Sequence, residues 1–142
     1  MNHFTENEFH WPVRVYFEDT DAGGVVYHAS YLKFFERGRT EFLRFLGWNQ
    51  QRLITEGICA FVVSELSIKY KRPAKLDDEL DIRTRVLNLK RASFVFDQRA
   101  YKQDQLMAQA EVKVVCIDPQ TGSPRVLPDT MLEKIKTVAS SD

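Results

Sequence analysis

From residue 59 to residue 116 the chain is a succession of period-two runs separated by short polar breaks. Cys59 to Tyr70 alternates in its second half, with Leu66, Ile68 and Tyr70 against Ser67, Lys69 and Lys71. Its first half, Ala60-Phe61-Val62-Val63, is apolar on both faces, as in a central strand. Leu80, Ile82, Thr84 and Val86 then alternate with Glu79, Asp81, Arg83 and Arg85. Phe94 and Phe96 open a third run that continues to about Lys102, and Ala108, Ala110, Val112, Val114 and Cys116 mark a fourth. Arg72-Pro73-Ala74-Lys75, Asn88 to Arg91 and Gln103-Asp104-Gln105 separate them. A parallel crossover needs about a dozen residues or more, so neighbouring strands joined by such short breaks must run antiparallel.

One long helix has to cover that sheet. From about Ala29 to Leu46 the apolar period changes to helical, with Tyr31, Phe35, Gly38, Phe42 and Phe45 at steps of three and four. Leu32, Leu43 and Leu46 widen the stripe. Glu36–Arg39, Arg37–Glu41 and Glu41–Arg44 are spaced for ion pairs on the other face, each contributing a few tenths of a kcal/mol. Burial of the aromatic stripe, at roughly 1.5–3 kcal/mol per large side chain, must dominate. Gly38 on the buried face costs about 1 kcal/mol of helix propensity, which predicts a close approach of the helix backbone to another element. Gly47 stops the helix. Asn49 to Glu56 reads as a short second helix, and Pro128 to Val138 as a C-terminal one with a proline start. Ahead of the long helix, Trp11 to Phe17 alternates, with Val13, Val15 and Phe17 on one face. The fold class is α+β, an antiparallel sheet with a long helix against one face. Residues 1–9 read as a flexible tail and residues 10–139 as a single domain.

Composition narrows the function classes. The chain has 142 residues, 44% hydrophobic and 28% charged, with a formal net charge of zero. That is ordinary globular composition, and nothing global favours nucleic acid or a membrane surface as partner. No stretch approaches the roughly 18 apolar residues of a membrane span. The first ten residues have no basic or apolar segment of a signal peptide, so a cytoplasmic location is expected. Cys59 and Cys116 have no metal or redox spacing and are expected to be buried core residues.

The chemistry concentrates in Glu18-Asp19-Thr20-Asp21-Ala22-Gly23-Gly24-Val25-Val26-Tyr27-His28, between the first strand and the long helix. Four readings fit the residues. Asp19 and Asp21 can be turn and capping residues. Glu18, Asp19, Asp21 and His28 can be metal ligands, though in no EF-hand or zincin spacing. Gly23-Gly24 ahead of a helix can bind phosphate, though this is neither a P-loop nor GxGxxG. Finally, a carboxylate beside the unpaired N–H groups of a helix start can attack an activated carbonyl or activate water, while those donors stabilise the oxyanion. A thioester suits this equipment, because its carbonyl is electrophilic and thiolate leaves readily.

The run Val15-Tyr16-Phe17-Glu18-Asp19-Thr20-Asp21-Ala22-Gly23-Gly24-Val25-Val26-Tyr27-His28-Ala29-Ser30-Tyr31-Leu32-Lys33-Phe34-Phe35-Glu36-Arg37 resembles the signature of the 4-hydroxybenzoyl-CoA thioesterase family. Trp11-Pro12-Val13-Arg14 and Val114-Val115-Cys116-Ile117-Asp118-Pro119 resemble the branch of that family associated with the bacterial Tol–Pal cell-envelope system. The resemblance extends over roughly residues 10–135. It implies the hotdog fold, an antiparallel β-sheet wrapped around a long central α-helix. It implies acyl-CoA hydrolysis to free acid and CoA, with short-chain or aromatic acyl groups and without metal or organic cofactor. By position, Asp21 matches the catalytic aspartate, as nucleophile or general base. His28 matches the residue whose backbone N–H polarises the thioester carbonyl, and its imidazole can orient Asp21 or water. Lys90 and Arg91 occupy the place of basic residues that meet the CoA phosphates. Glu36 reads as a structural ion-pair or hydrogen-bond residue.

Such enzymes pair two subunits into a continuous sheet with the active sites at the interface, which implies a homodimer or homotetramer. The competing reading is a scaffolding hotdog protein that binds acyl carrier protein or envelope and lipid-synthesis partners with little catalytic role. A hydratase on the same fold would need a different acid/base arrangement.

Overall fold

The computed structural model describes residues 3–139. Its elements are β1 (Phe4–Thr5), β2 (Glu8–Arg14), a 3-10 turn (Phe17–Asp19), α1 (Ser30–Phe45), α2 (Gln50–Thr55), β3 (Ala60–Tyr70), β4 (Glu79–Leu87), β5 (Ser93–Lys102), β6 (Gln105–Ile117) and α3 (Asp129–Val138). The six strands form one sheet in the order β1-β2-β4-β5-β6-β3, with every pairing antiparallel. α1 lies against β2, β4 and β5. The α+β architecture, a sheet around one long helix, is the one expected.

The period-two runs predict the sheet's faces. Leu80, Ile82, Thr84 and Val86 of β4 are buried, as are Phe94, Phe96, Gln98 and Ala100 of β5 and Ala108, Ala110, Val112, Val114 and Cys116 of β6. The alternate positions carry charge on the other face. There Arg83 Nε pairs with Asp81 Oδ2 at 3.0 Å, and Arg85 pairs with Asp97. Cys59 and Cys116 are both buried, as expected.

Gly38 makes the close approach its position predicts. A Cβ there would lie 2.8 Å from Ile82 Cγ2 and 3.1 Å from both Gln98 Nε2 and Thr84 Oγ1. Gln98 Nε2 donates to the Phe35 carbonyl of α1 at 2.8 Å and to Thr84 Oγ1 at 3.0 Å, while its Oε1 accepts from Arg39 at 3.0 Å. A buried amide thus joins helix and sheet with its donor and acceptor both engaged. Of the expected helix-face ion pairs, Glu41–Arg44 forms at 3.2 Å. Arg39 turns to Gln98 instead of Glu36.

Four expectations are corrected. Met1 and Asn2 lie outside the described residues, but residues 3–9, read as a tail, hold a β-hairpin: Phe4 pairs with Phe9 and Thr5 with Glu8. Glu6 and Asn7 make its turn at φ 52° and 65°. The hairpin's aromatic rings cover the end of α1, with Phe4 5.8 Å from Phe42 and 5.2 Å from Phe45. β2 also ends at Arg14, before the expected Phe17. Phe17 is 80% exposed because the Asp19 carboxylate accepts the Tyr16 N–H at 2.8 Å and turns the chain off the sheet. On α1, Phe34 joins the buried face, and Phe45 meets the hairpin rather than the sheet. Finally, β3 is an edge strand, not a central one: among the described residues it pairs with β6 alone. Val62 and Val63 are 42% and 49% exposed, and Leu66 and Tyr70 are exposed too. An apolar run reads the same whether its own chain or another surface covers it.

Candidate active site

The acidic segment connects β2 to α1 and is bound into a small knot. Thr20 and Val26 form an antiparallel bridge that closes residues 21–25 into a loop. Inside it the Asp21 N–H donates to the Val25 carbonyl at 2.9 Å and the Gly24 N–H to the Asp21 carbonyl at 3.0 Å. Gly24 sits at φ +81°, where a side chain is disfavoured. The loop is tied to the β3–β4 connection by the Val26 N–H on the Ala74 carbonyl at 2.8 Å and by a bridge between Val25 and Lys75.

The carboxylates separate by environment. Asp19 is 5% exposed. Its side chain caps Tyr16, and its carbonyl accepts the Tyr27 N–H at 2.8 Å and the Ser30 hydroxyl at 3.2 Å. It holds the loop to the start of α1. Asp21 is exposed. Its Oδ1 accepts the Gly23 N–H at 2.8 Å, and its Oδ2 has no donor among the described residues. With Asp19 turned inward, Glu18, Asp19, Asp21 and His28 do not converge as a ligand set, and among the described residues no group of three His, Cys, Asp or Glu does so.

His28 stands two residues before α1. The N-cap residue of α1 is Ala29, which offers no side-chain acceptor to the first N–H groups. The Tyr27 carbonyl accepts the Ser30 N–H at 2.8 Å, and the His28 carbonyl accepts the Tyr70 hydroxyl at 2.9 Å. The N–H groups of His28 and Ala29 find no acceptor among the described residues. Uncapped donors at the positive end of a helix suit an oxyanion. The His28 ring lies 4.4 Å from that of Tyr27 and 6.2 Å from that of Tyr70, and makes no hydrogen bond to Asp21 among the described residues.

Beside His28 is an open cleft of about 280 Å³, lined by Val26, His28, Tyr31, Tyr70, Lys71, Arg72 and Pro73. Its walls are largely aromatic and apolar. Burial pushes the Tyr31 phenol above the usual tyrosine range. Sequence reasoning missed Tyr31, Tyr70, Lys71 and Arg72 here. Tyr31 read as helix core, Tyr70 and Lys71 as the end of a strand and Arg72 as part of the break after it, and no local spacing ties position 70 to position 28.

Lys90 and Arg91 are exposed in the β4–β5 connection, at the far end of the sheet. Tyr70 pairs with Ala108 and Ala60 with Ile117, and Ser93, just after Arg91, pairs with Val115. The strand between the two ends is about 30 Å long at its rise per residue. Within one chain the structure therefore brings Asp21 and His28 onto the same connection and leaves Lys90 and Arg91 away from them. Glu36 is exposed and makes no ion pair among the described residues, contrary to its expected structural role. With Arg39, Leu43, Phe61 and Val62 it lines a second groove of about 300 Å³ between α1 and β3.

An exposed carboxylate, free helix-start donors and an apolar cleft are equipment for attack on an activated carbonyl. The relatives fit that chemistry. Residues 15–135 match the thioesterase-like superfamily. The chain is 50% identical over 129 residues to the acyl-CoA thioester hydrolase YbgC of Escherichia coli O6:H1, covering 90% of this chain and 96% of that one. It is similar to the crystal structure of a "Probable Thioesterase" from Bartonella henselae, with a TM-score of 0.81 and 42% identity over 85% of this chain and 99% of that one. It is also similar to a 1,4-dihydroxy-2-naphthoyl-CoA thioesterase from Synechocystis, with a TM-score of 0.85 and 26% identity over 91% and 96%.

Proposed function

The chain belongs to the thioesterase-like superfamily and is an acyl-CoA thioester hydrolase of the hotdog fold, and we propose that its substrates carry short-chain or aromatic acyl groups, with Asp21 and the His28 N–H performing the reaction. The observation that carries this reading is the pairing, on one short connection, of an exposed carboxylate with uncapped helix-start donors. The thioester carbonyl oxygen accepts the His28 N–H. The Asp21 carboxylate attacks the carbonyl carbon or takes a proton from the water that does. The tetrahedral oxyanion is held by the entrance donors, the C–S bond breaks, and CoA leaves as thiolate. In the first case water then hydrolyses the acyl-Asp21 anhydride to free acid and carboxylate, and its proton goes to the thiolate. In the second, Asp21 passes the proton it took from water to the thiolate. The modest cleft with Tyr31 and Tyr70 in its walls supports a small or aromatic acyl group. So does similarity to an enzyme named for an aromatic acyl-CoA.

The CoA portion requires a second copy. If two β3 edges pair antiparallel, the Tyr70 end of one strand meets the Ala60 end of the other. Lys90 and Arg91 of the partner subunit then approach the Asp21 loop, within reach of the CoA phosphates. The unpaired β3 edge and exposed Val62, Val63 and Leu66 support such a dimer, and a dimer of dimers is compatible with it. A link to the Tol–Pal system and a cytoplasmic site of action belong to the same reading; the first follows the resemblance of Trp11-Pro12-Val13-Arg14 and Val114-Val115-Cys116-Ile117-Asp118-Pro119 to the Tol–Pal-associated branch.

The test is a hydrolysis panel of short, long and aromatic acyl-CoAs with wild type and Asp21→Asn. We expect the highest kcat/KM with short or aromatic acyl groups and loss of turnover in the variant. Near-normal turnover by Asp21→Asn removes Asp21 from the reaction. Binding of acyl carrier protein without hydrolysis of any thioester would assign the scaffolding role instead.

A further inference from the structure

Tyr70 is the last residue of β3, and its hydroxyl reaches across to the start of α1, donating to the His28 carbonyl at 2.9 Å. The ring is held in place from two sides. It meets Tyr31 edge-on at 5.6 Å, and His28 edge-on at 6.2 Å. Tyr31 is itself buried in the core, so Tyr70 is braced against a fixed surface although its own ring is partly exposed.

The bond lands where the reaction needs rigidity. Two peptide units lead into α1, Tyr27–His28 and His28–Ala29. The oxygen of the first is taken by the Ser30 N–H at 2.8 Å, and the oxygen of the second by Tyr70. With both oxygens engaged, the two N–H groups are left as the free ends of these units. The Ser30–Tyr27 bond closes a turn whose central peptide is His28–Ala29, no side chain caps the helix start, and the Tyr70 bond is the one made to that central peptide among the described residues. Hydrogen bonding at a carbonyl oxygen also polarises its amide, which makes the N–H a stronger donor. Donors aimed before the oxyanion forms need no reorganisation during the reaction, which is the source of their catalytic effect.

We propose that Tyr70 is a positioning residue for thioester hydrolysis: its hydroxyl fixes the His28–Ala29 peptide and polarises the Ala29 N–H, which stands beside the His28 N–H where the oxyanion develops. This rests on the reading of the Asp21–His28 connection as the active site. It goes beyond that reading by adding a side chain 42 positions away in sequence that acts through the His28–Ala29 peptide.

The test is Tyr70→Phe, which keeps the ring, its contacts and the cleft wall and removes the hydroxyl. We expect kcat to fall about tenfold, the worth of one hydrogen bond, with KM changed less than about twofold. The melting midpoint and oligomeric state should be unchanged. The amide proton of Ala29, which shares its peptide with the His28 carbonyl, should shift upfield in a proton–nitrogen correlation spectrum. If Tyr70 only lines the cleft, KM moves or nothing does, and the Ala29 amide stays where it is; either result overturns the proposal. Wild type and Asp21→Asn run in the same assay separate the two ideas. An active wild type and inactive Asp21→Asn with an unaltered Tyr70→Phe sinks the role of Tyr70 alone. A wild type inactive on every thioester sinks the catalytic reading itself, and the Ala29 amide shift still reports whether Tyr70 holds the helix start.

Discussion

At the scale of single residues, two positions show how much the surroundings decide. Asp21 accepts the Gly23 N–H through one oxygen. An asparagine keeps that acceptor and loses only the negative charge. Asp21→Asn is therefore expected to fold with an unchanged melting midpoint while hydrolysis is lost, a contrast that circular dichroism and a thiol-release assay can record side by side. Gly38 is the opposite case. A methyl group there would press on Ile82 and on the Gln98 amide. Overpacking of this kind costs about 1–3 kcal/mol, against about 1 kcal/mol of helix propensity regained. Gly38→Ala should thus be destabilising in urea unfolding, although glycine-to-alanine in an ordinary helix stabilises. Gly38's close approach is legible from its place on an apolar stripe, because only a tight contact justifies losing a side chain there. Gln98 as the group it approaches is not: alternation puts it on the face of Phe94 and Phe96, but which helix position lies over it is set by packing between segments far apart in the chain.

At the scale of elements, the N-terminal hairpin is the clearest departure from expectation. β1 has two residues, too few for any periodicity to register. Its partner strand begins at Glu8 because Phe9 finds Phe4, Phe42 and Phe45 within 6 Å between ring centroids. Three of those four rings are separated in sequence from the fourth by a loop or a helix. A local signal did exist: Asn7 suits the positive φ of a tight hairpin turn. Phe9 is completely buried. Phe9→Ala is expected to cost about 3–5 kcal/mol, which denaturant titration would measure; a change under about 1 kcal/mol would mean that these residues behave as the tail they resemble in sequence. The strand β4 and the part of β6 from Ala108 on, by contrast, are readable throughout, because each buries one face and the period-two code is complete there.

At the scale of the whole molecule, Lys90 and Arg91 lie at the opposite end of the sheet from Asp21, a gap that the proposed pairing of two β3 edges would close. Charge placed on an exposed edge strand opposes pairing. If two β3 edges pair as proposed, Val63→Lys should leave a monomer in sedimentation velocity and lower acyl-CoA turnover with it; a sedimentation profile equal to that of wild type would put the subunit contact elsewhere. The basic pair has its own signature. Lys90→Ala with Arg91→Ala should raise KM for acyl-CoA more than for an N-acetylcysteamine thioester, which lacks the phosphates. An equal effect on both substrates would place the CoA phosphates at another site, and Lys71 and Arg72 beside His28 are the cations nearest to hand.

The sequence by itself determined the α+β class, the antiparallel pairing, the buried faces of β4 and β6 and the position of the carboxylate–histidine connection. All of these follow from periodicity, connection length or a contiguous motif, and each is encoded within a few neighbouring residues. Tertiary structure alone decided that β3 lies at the edge, that a hairpin covers the end of α1, that Asp19 turns inward while Asp21 stays exposed, and that Tyr70 holds the entrance beside His28. These depend on contacts between residues far apart in the chain. An apolar side chain or a tyrosine hydroxyl carries no local mark of the partner it will meet.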